Sequence, residues 1–358
     1  MTWLALLAHP FAAASTATQV AAVLGANLQR PDWSPGGDRL AFEANFHDKR
    51  VIELYVGEPD TPRFARIRAV ERSQNPLTAG FSTGVVSNQV VHQLHWAPPP
   101  QNRYVFAASN TQQDYDLYLD GSGTVGASPA AEGDPRWSPD GRRIAFTSAR
   151  SGEGDLYLVD RQMPEAAPRR LTQLPGTSEV DPAWSADGRS LAFIAHAASG
   201  DKLWLLPNLD GQPIAATAVG GSHIRPSWAP TGSRLAFYAN TIGARWDCYV
   251  VDAAAPGTAT LIAEDVLPNA LGPSWTPDGR HLVLVQNRDA DYDPLFAVNV
   301  ANPNTRTSLN LGTVGHGDVD VVKRPDGAFW VAYVAQGKET DVLRDFKRVF
   351  ISALPELN

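Results

Sequence analysis

Three groupings of side chains in this chain have types and spacings that chemistry could use. The first is histidine: His92, His223 and His316 stand four, five and seven residues ahead of Trp96, Trp228 and Lys323, three positions of a recurring motif. Imidazoles gathered at one opening would offer neutral ring nitrogens to a zinc-like ion. His95 is three residues after His92, so on a regular strand the two point to opposite faces and cannot share one ion. The second is Gly80-Phe81-Ser82-Thr83-Gly84, which has the G-x-S-x-G outline of a nucleophile elbow. An elbow needs a strand before the serine and a helix after it; nothing helical follows here, so a glycine-rich turn is expected instead. The third is Asp289, Asp291 and Asp293, spaced like the start of a calcium loop. Its sixth position is Pro294 where glycine is required, and its twelfth is Val300 where a bidentate glutamate is required, so that loop is excluded. Asp293 aligns instead with Asp116, Asp155, Asp201 and Asp247, which points to a carboxylate that caps a loop.

A wider set falls in the segments that lead into the recurring motif: Arg30, His92, Asp134, Glu179, Asp181, His223, Arg225, Asn269, His316 and Asp318. Charges of both signs converging on one opening suit recognition of a polar peptide or protein segment better than hydrolysis. No acid–base pair separates from the set, and no cofactor is expected.

The elements that must position these residues follow from the repeat. Its anchors are Trp33, Trp96, Trp137, Trp184, Trp228, Trp275 and a Trp-less copy at Lys323, spaced 63, 41, 47, 44, 47 and 48 residues apart. Most are followed by a Ser-Pro-Asp-Gly-like turn, clearest at Trp137-Ser138-Pro139-Asp140-Gly141. Proline presets φ and glycine accepts the positive φ of a tight reversal. An apolar run such as Ile144-Ala145-Phe146 or Leu191-Ala192-Phe193 comes next, then an aromatic at Tyr55, Tyr118, Tyr157, Trp204, Tyr249 or Phe296, 20 to 22 residues after its anchor. A period of this length with four short strands per unit predicts an all-β fold: a β-propeller of seven four-stranded antiparallel blades, or six if the last unit is irregular.

The chain ends supply a closure. The last unit provides three strands, within 319–322, 329–333 and 348–352, and lacks an outer one, whereas residues 18–23 form a spare strand before the first anchor. Pairing the two would leave no open sheet edge. Residues 17–358 are therefore expected to form one propeller, with 71–91 as its long inter-blade excursion. Residues 1–16 read as a truncated signal peptide or a frayed end: Trp3–Ala8 is apolar and Ala12-Ala13-Ala14-Ser15 is small, but no positive start precedes them.

Composition narrows the partners. Thirty Lys and Arg against 38 Asp and Glu give a net charge of −8 with no basic run, which argues against nucleic acid. No stretch approaches the ~20 apolar residues of a membrane-spanning helix. The single cysteine, Cys248, is expected to be a small buried hydrophobe.

The succession of W-S-P-D-G, I-A-F and D-L-Y-L-V-D from Trp137 to Asp160 resembles the PD40 repeat of the TolB-type propellers, over residues 17–358. That resemblance implies a non-enzymatic, periplasmic scaffold that binds a protein of the cell envelope, such as a Pal-like lipoprotein. Two departures stand out: only 32 residues precede Trp33 where that family carries an α/β domain, and a seventh repeat exceeds its six blades. The oligogalacturonide lyases, seven-bladed with a related repeat and a metal held by channel histidines, are the alternative resemblance.

Overall fold

The computed structural model describes residues 17–357 apart from 24, 48–50, 62, 68–69, 73–81, 86–90, 110–113, 127, 164–165, 289–292 and 337–345. Seven antiparallel sheets of four strands follow one another around a ring. Each begins with an inner strand that runs toward its anchor: Asn27–Trp33, Val91–Trp96, Glu132–Trp137, Ser178–Trp184, His223–Trp228, the broken pair Val266–Leu267 and Ser274–Trp275, and Val319–Lys323. Blade 3 shows the common plan, with Glu132–Trp137, Arg143–Ser148, Asp155–Asp160 and Arg169–Arg170 paired in that order.

The anchor turn explains why the repeat is written as it is. In blade 3, Ser138 Oγ donates to Asp140 Oδ1 at 2.5 Å and accepts from Arg143 N at 3.0 Å, while Gly141 N donates to Ser138 O at 2.9 Å. Gly141 has φ of 67°, and a Cβ there would sit 2.3 Å from Gln101 Nε2. Only glycine satisfies both the backbone and the packing.

The apolar run packs each blade against two neighbours. Ile144 and Phe146 join Val105, Leu117 and Trp137 in the core between blades 2 and 3, while Ala145 faces Trp184, Leu191 and Phe193 between blades 3 and 4. A bulky face therefore meets a small one at each seam, so the sheets nest. Among the described residues these contacts form seven buried clusters, matching seven seams.

The closure forms as expected. Thr18–Ala21 pairs with Lys347–Ala353, setting Thr18 opposite Ile351 and Ala21 opposite Val349, and completes blade 7. Blade 6 departs from the continuous inner strand that the repeat predicts. Pro268 and Pro273 lack the N–H a ladder needs, and the strand breaks between them. In the excursion after blade 1, Val70–Arg72 pairs with Ser82–Val85. Ser82 thus opens a ribbon strand and not a strand-to-helix turn; Gly80 and Phe81, like Asp289 and Asp291, lie outside the described residues, as does the 1–16 segment.

Candidate functional site

A backbone irregularity builds the site. In five blades the residue three before the anchor has positive φ: Arg30 at 51°, Gln93 at 56°, Asp134 at 49°, Asp181 at 52° and Arg225 at 55°. The ladder shifts register at each of these points. A bulge of this kind re-aims side chains that strict alternation would place elsewhere. Here it brings polar residues of successive blades into contact around the central axis.

The contacts form a hoop. Arg30 N donates to Asp318 Oδ2 at 2.9 Å, and the Arg30 guanidinium lies 3.4 Å from Glu43 Oε1. Gln93 N donates to Glu43 Oε1 at 2.9 Å, and Gln93 and Asp134 exchange bonds of 2.7 and 2.9 Å. Arg225 Nη1 donates to Asp181 Oδ1 at 2.7 Å, while Ala270 N donates to Asp318 Oδ1 at 2.8 Å. Burial and the neighbouring Asp134 push the Asp181 carboxyl upward, opposed by Arg225 and Arg136.

Next to this hoop, toward the anchor turns, lies a cavity of about 370 Å³ whose lining comes from all seven blades: Asp32, His95, Arg136, Ala183, Ser227, Leu271 and Asp320, with Trp and Pro residues of the turns. Pro35 and Pro139 are exposed at its rim. Asp320 accepts from Trp33 N at 2.8 Å and from Val321 N at 2.9 Å, yet burial lifts its carboxyl to about 6. Asp32 is raised well above the usual carboxylate range by burial and by Asp320 beside it. His95 Nδ1 accepts from Trp137 N at 3.2 Å, and burial together with Arg136 lowers the imidazole to about 3, so it stays neutral with its proton on Nε2.

Of the residues expected at one opening, Arg30, Asp134, Asp181, Arg225 and Asp318 meet in the hoop. The others do not join it through side-chain bonds. Glu179 is buried, accepting from Thr172 Oγ1 at 2.9 Å and Thr177 Oγ1 at 2.5 Å, and burial raises it to about 7. His223 is buried between Leu203 N, which donates to Nδ1 at 3.1 Å, and Val219 O, 2.9 Å from Nε2. His316 is held by Asp293 O at 2.5 Å and Thr313 Oγ1 at 2.9 Å. Asn269 spans blades, donating to Val319 O at 2.5 Å. His92 meets Tyr115 edge to face at 5.1 Å, and its buried Nε2 has no hydrogen-bond partner among the described residues. The three histidines expected to converge are thus fixed in the blade walls: strand-end apolar packing claims the face they occupy. Among the described residues no three His, Cys, Asp or Glu side chains stand together as a metal-ligand set.

The aspartates aligned ahead of the third strands do tie loops. Asp293 Oδ1 accepts from Arg288 N at 2.9 Å and Asp247 Oδ1 from Asp265 N at 2.8 Å. The residues that sequence reasoning missed are Asp32, His95, Arg136 and Asp320. A signal existed for the first three: each is a polar residue immediately before a buried tryptophan, where an inward-packed strand should not carry one.

No protein-family model matches the chain. The uncharacterized peptidase YuxL of Bacillus subtilis is 36% identical over 110 residues, which is 28% of this chain and 16% of the peptidase. Among solved structures, TolB from Acinetobacter baumannii superimposes with a TM-score of 0.53 at 17% identity, over 77% of this chain and 64% of that one. A puromycin-hydrolyzing peptidase of Mycobacterium tuberculosis gives 0.60 at 15% identity, over 87% of this chain and 50% of its own. The oligogalacturonate lyase of Vibrio parahaemolyticus gives 0.60 at 13% identity, over 95% and 94%. Likenesses this distant define architecture: the chain has a seven-bladed, TolB-like β-propeller fold. It spans a small part of YuxL and half of the M. tuberculosis peptidase.

Proposed function

We propose that this chain is a non-enzymatic binding propeller that holds a polar segment of a cell-envelope protein or peptide in its central channel. The observation that carries this reading is the hoop. Its polar groups are already bonded to one another across blades, through a backbone N–H, a glutamine amide and the Arg225–Asp181 ion pair, so the wall is preformed, and a preformed polar surface lowers the cost of ordering on binding. Beside it lies a cavity lined by Trp and Pro residues together with charged groups, the combination that peptide sites use for grip and orientation. The TolB-like fold and the apolar Trp3–Ala8 stretch favour export to the periplasm, where a Pal-like lipoprotein is the class of partner the resemblance suggests. The histidine set that a lyase-like alternative would use is dispersed in the blade walls.

The test is capture of a partner from envelope extract by the immobilised chain and by Ala183→Arg, which fills the cavity with its own guanidinium. Circular dichroism and thermal melting verify that the variant is folded. The plugged variant should lose at least about tenfold in captured partner, the change that ~1.4 kcal/mol of binding represents. Undiminished capture by a folded Ala183→Arg variant would sink the channel reading.

A further inference from the structure

We infer that the cavity at the anchor-turn end of the channel is a subsite for a cationic side chain, a guanidinium or ammonium, carried by the bound segment. This deepens the channel-binding reading and rests on it.

The channel's acidic groups outnumber its basic ones. Glu43, Asp134, Asp181, Asp318, Asp32 and Asp320 face three guanidiniums, those of Arg30, Arg136 and Arg225. Five of the six carboxylates have donors: Glu43 takes Gln29 and Gln93, Asp134 takes Gln93, Asp181 takes Arg225, Asp318 takes two backbone N–H groups, and Asp320 takes two more. Asp32 is the exception. Its carboxylate accepts no hydrogen bond from any described residue, although it lines the cavity and lies beside Asp320. Burial, and for Asp32 the neighbouring Asp320, disfavours ionisation of these two carboxyl groups, and a cation entering between them favours the charged form of both.

A second group in the wall also lacks its partner. In four blades the anchor indole donates to the preceding blade: Trp96 to Asp32 O, Trp184 to Arg136 O, Trp228 to Ala183 O and Trp275 to Ser227 O, at 3.0 to 3.2 Å. Trp33 and Trp137 break that series, and of the two only Trp137 lines the cavity. Trp137 is 4% exposed, forms part of the cavity wall, and its Nε1–H has no acceptor among the described residues. A buried donor without an acceptor is costly enough to be rare. A peptide carbonyl is the acceptor it lacks, and a peptide with a basic side chain supplies cation and carbonyl together. His95, neutral between Trp137 and Arg136, adds no opposing charge. Arg136 is the main opposing charge on Asp32 but also acts on Asp134 and Asp181, so one guanidinium serves three carboxyl groups and room is left for a second cation.

The experiment is calorimetric titration of the full chain with three probes: acetyl-Gly-Gly-Arg-Gly-Gly-amide, the same peptide with norleucine for arginine, and argininamide. The arginine peptide should bind at least about tenfold more tightly than the norleucine peptide, as expected for a cation paired with a partly desolvated carboxylate. Asp32→Asn should erase that preference and Asp32→Glu should keep most of it; because Asp32 accepts no hydrogen bond from the described residues, both variants should retain the wild-type melting profile. Equal binding of the two peptides, or full preference in Asp32→Asn, overturns the inference. Argininamide binding as tightly as the arginine peptide would assign the cavity to a small free cation and overturn the peptide source. Loss of arginine preference while Ala183→Arg still abolishes envelope capture would remove this inference and leave the channel reading standing.

Discussion

The seam between blades 3 and 4 and the seam between blades 7 and 1 join similar sheets by different chemistry. At the first, Trp184 Nε1 donates to Arg136 O at 3.1 Å, and Arg143 lies 5.1 Å from the Trp184 ring while donating to Gly188 O at 3.1 Å. At the second, Trp33 Nε1 has no acceptor among the described residues. Arg324 does the joining instead: it sits between the rings of Trp33 and Trp330, donates to Gly37 O at 3.0 Å and pairs with Asp60. Asp318 and Asp320 add bonds to Arg30 N and Trp33 N. The closing seam thus uses charge where the regular seam uses an indole hydrogen bond. The difference also separates roles within the channel: Asp318 and Asp320 are bolts of the closing seam, whereas Asp32 carries no such duty.

The closing strand offers the sharpest break. Deleting residues 1–26 removes Thr18–Ala21, exposes the edge of Lys347–Ala353 and uncovers Val349 and Ile351, which pack with Val20 and Ala21 in the parent. The melting temperature should fall by about 10 °C or more, the scale of several kcal/mol in a protein this size, while deleting 1–14 should change it by less than about 2 °C. A 1–26 deletion that melts with the parent would show that the ring does not depend on this strand.

The seventh unit could be recognised as a repeat because turn chemistry is local: Pro325-Asp326-Gly327 reads as a turn without its tryptophan. The closing strand was legible for a related reason, a spare apolar stretch at one end and a missing strand at the other. Which side chains reach the channel was not legible. Alternation puts His92 and His95 on opposite faces, but Gln93 at φ 56° inserts a bulge between them and resets the phase. Nothing in the residue types announces that bulge, since arginine, glutamine and aspartate all occupy it. His223 and His316 misled for the converse reason: a histidine satisfied by local hydrogen bonds can fill a buried wall position, and the place of His223 is taken by Val91 in blade 2.

A smaller effect probes the two seams directly. Arg324→Ala should cost about 2–4 kcal/mol in urea unfolding, because it removes a charged hydrogen bond, an ion pair and two aromatic contacts; Arg143→Ala should cost about 1–2 kcal/mol. Equal costs would mean that the closing seam is no more dependent on charge than the regular one.

The smallest expected difference lies in the indoles. Trp184→Phe and Trp33→Phe lose similar packing, but only the first leaves a carbonyl, Arg136 O, without its donor. Trp184→Phe should therefore be the more destabilising by about 1–2 kcal/mol, read from the same urea transitions. The reverse order would refute the assignment of Trp33 as an untied anchor.

The left-handed residues of the inner strands also limit how this protein can change. Arginine, glutamine and aspartate tolerate that backbone at modest cost, and asparagine or glycine would tolerate it better, but β-branched residues fit it poorly. Mutational drift at positions 30, 93, 134, 181 and 225 is thereby channelled toward flexible polar side chains, and valine, isoleucine or threonine is disfavoured before any partner is consulted. A lineage built on this scaffold can diversify what its pore recognises, yet the geometry of the strand keeps that diversity polar.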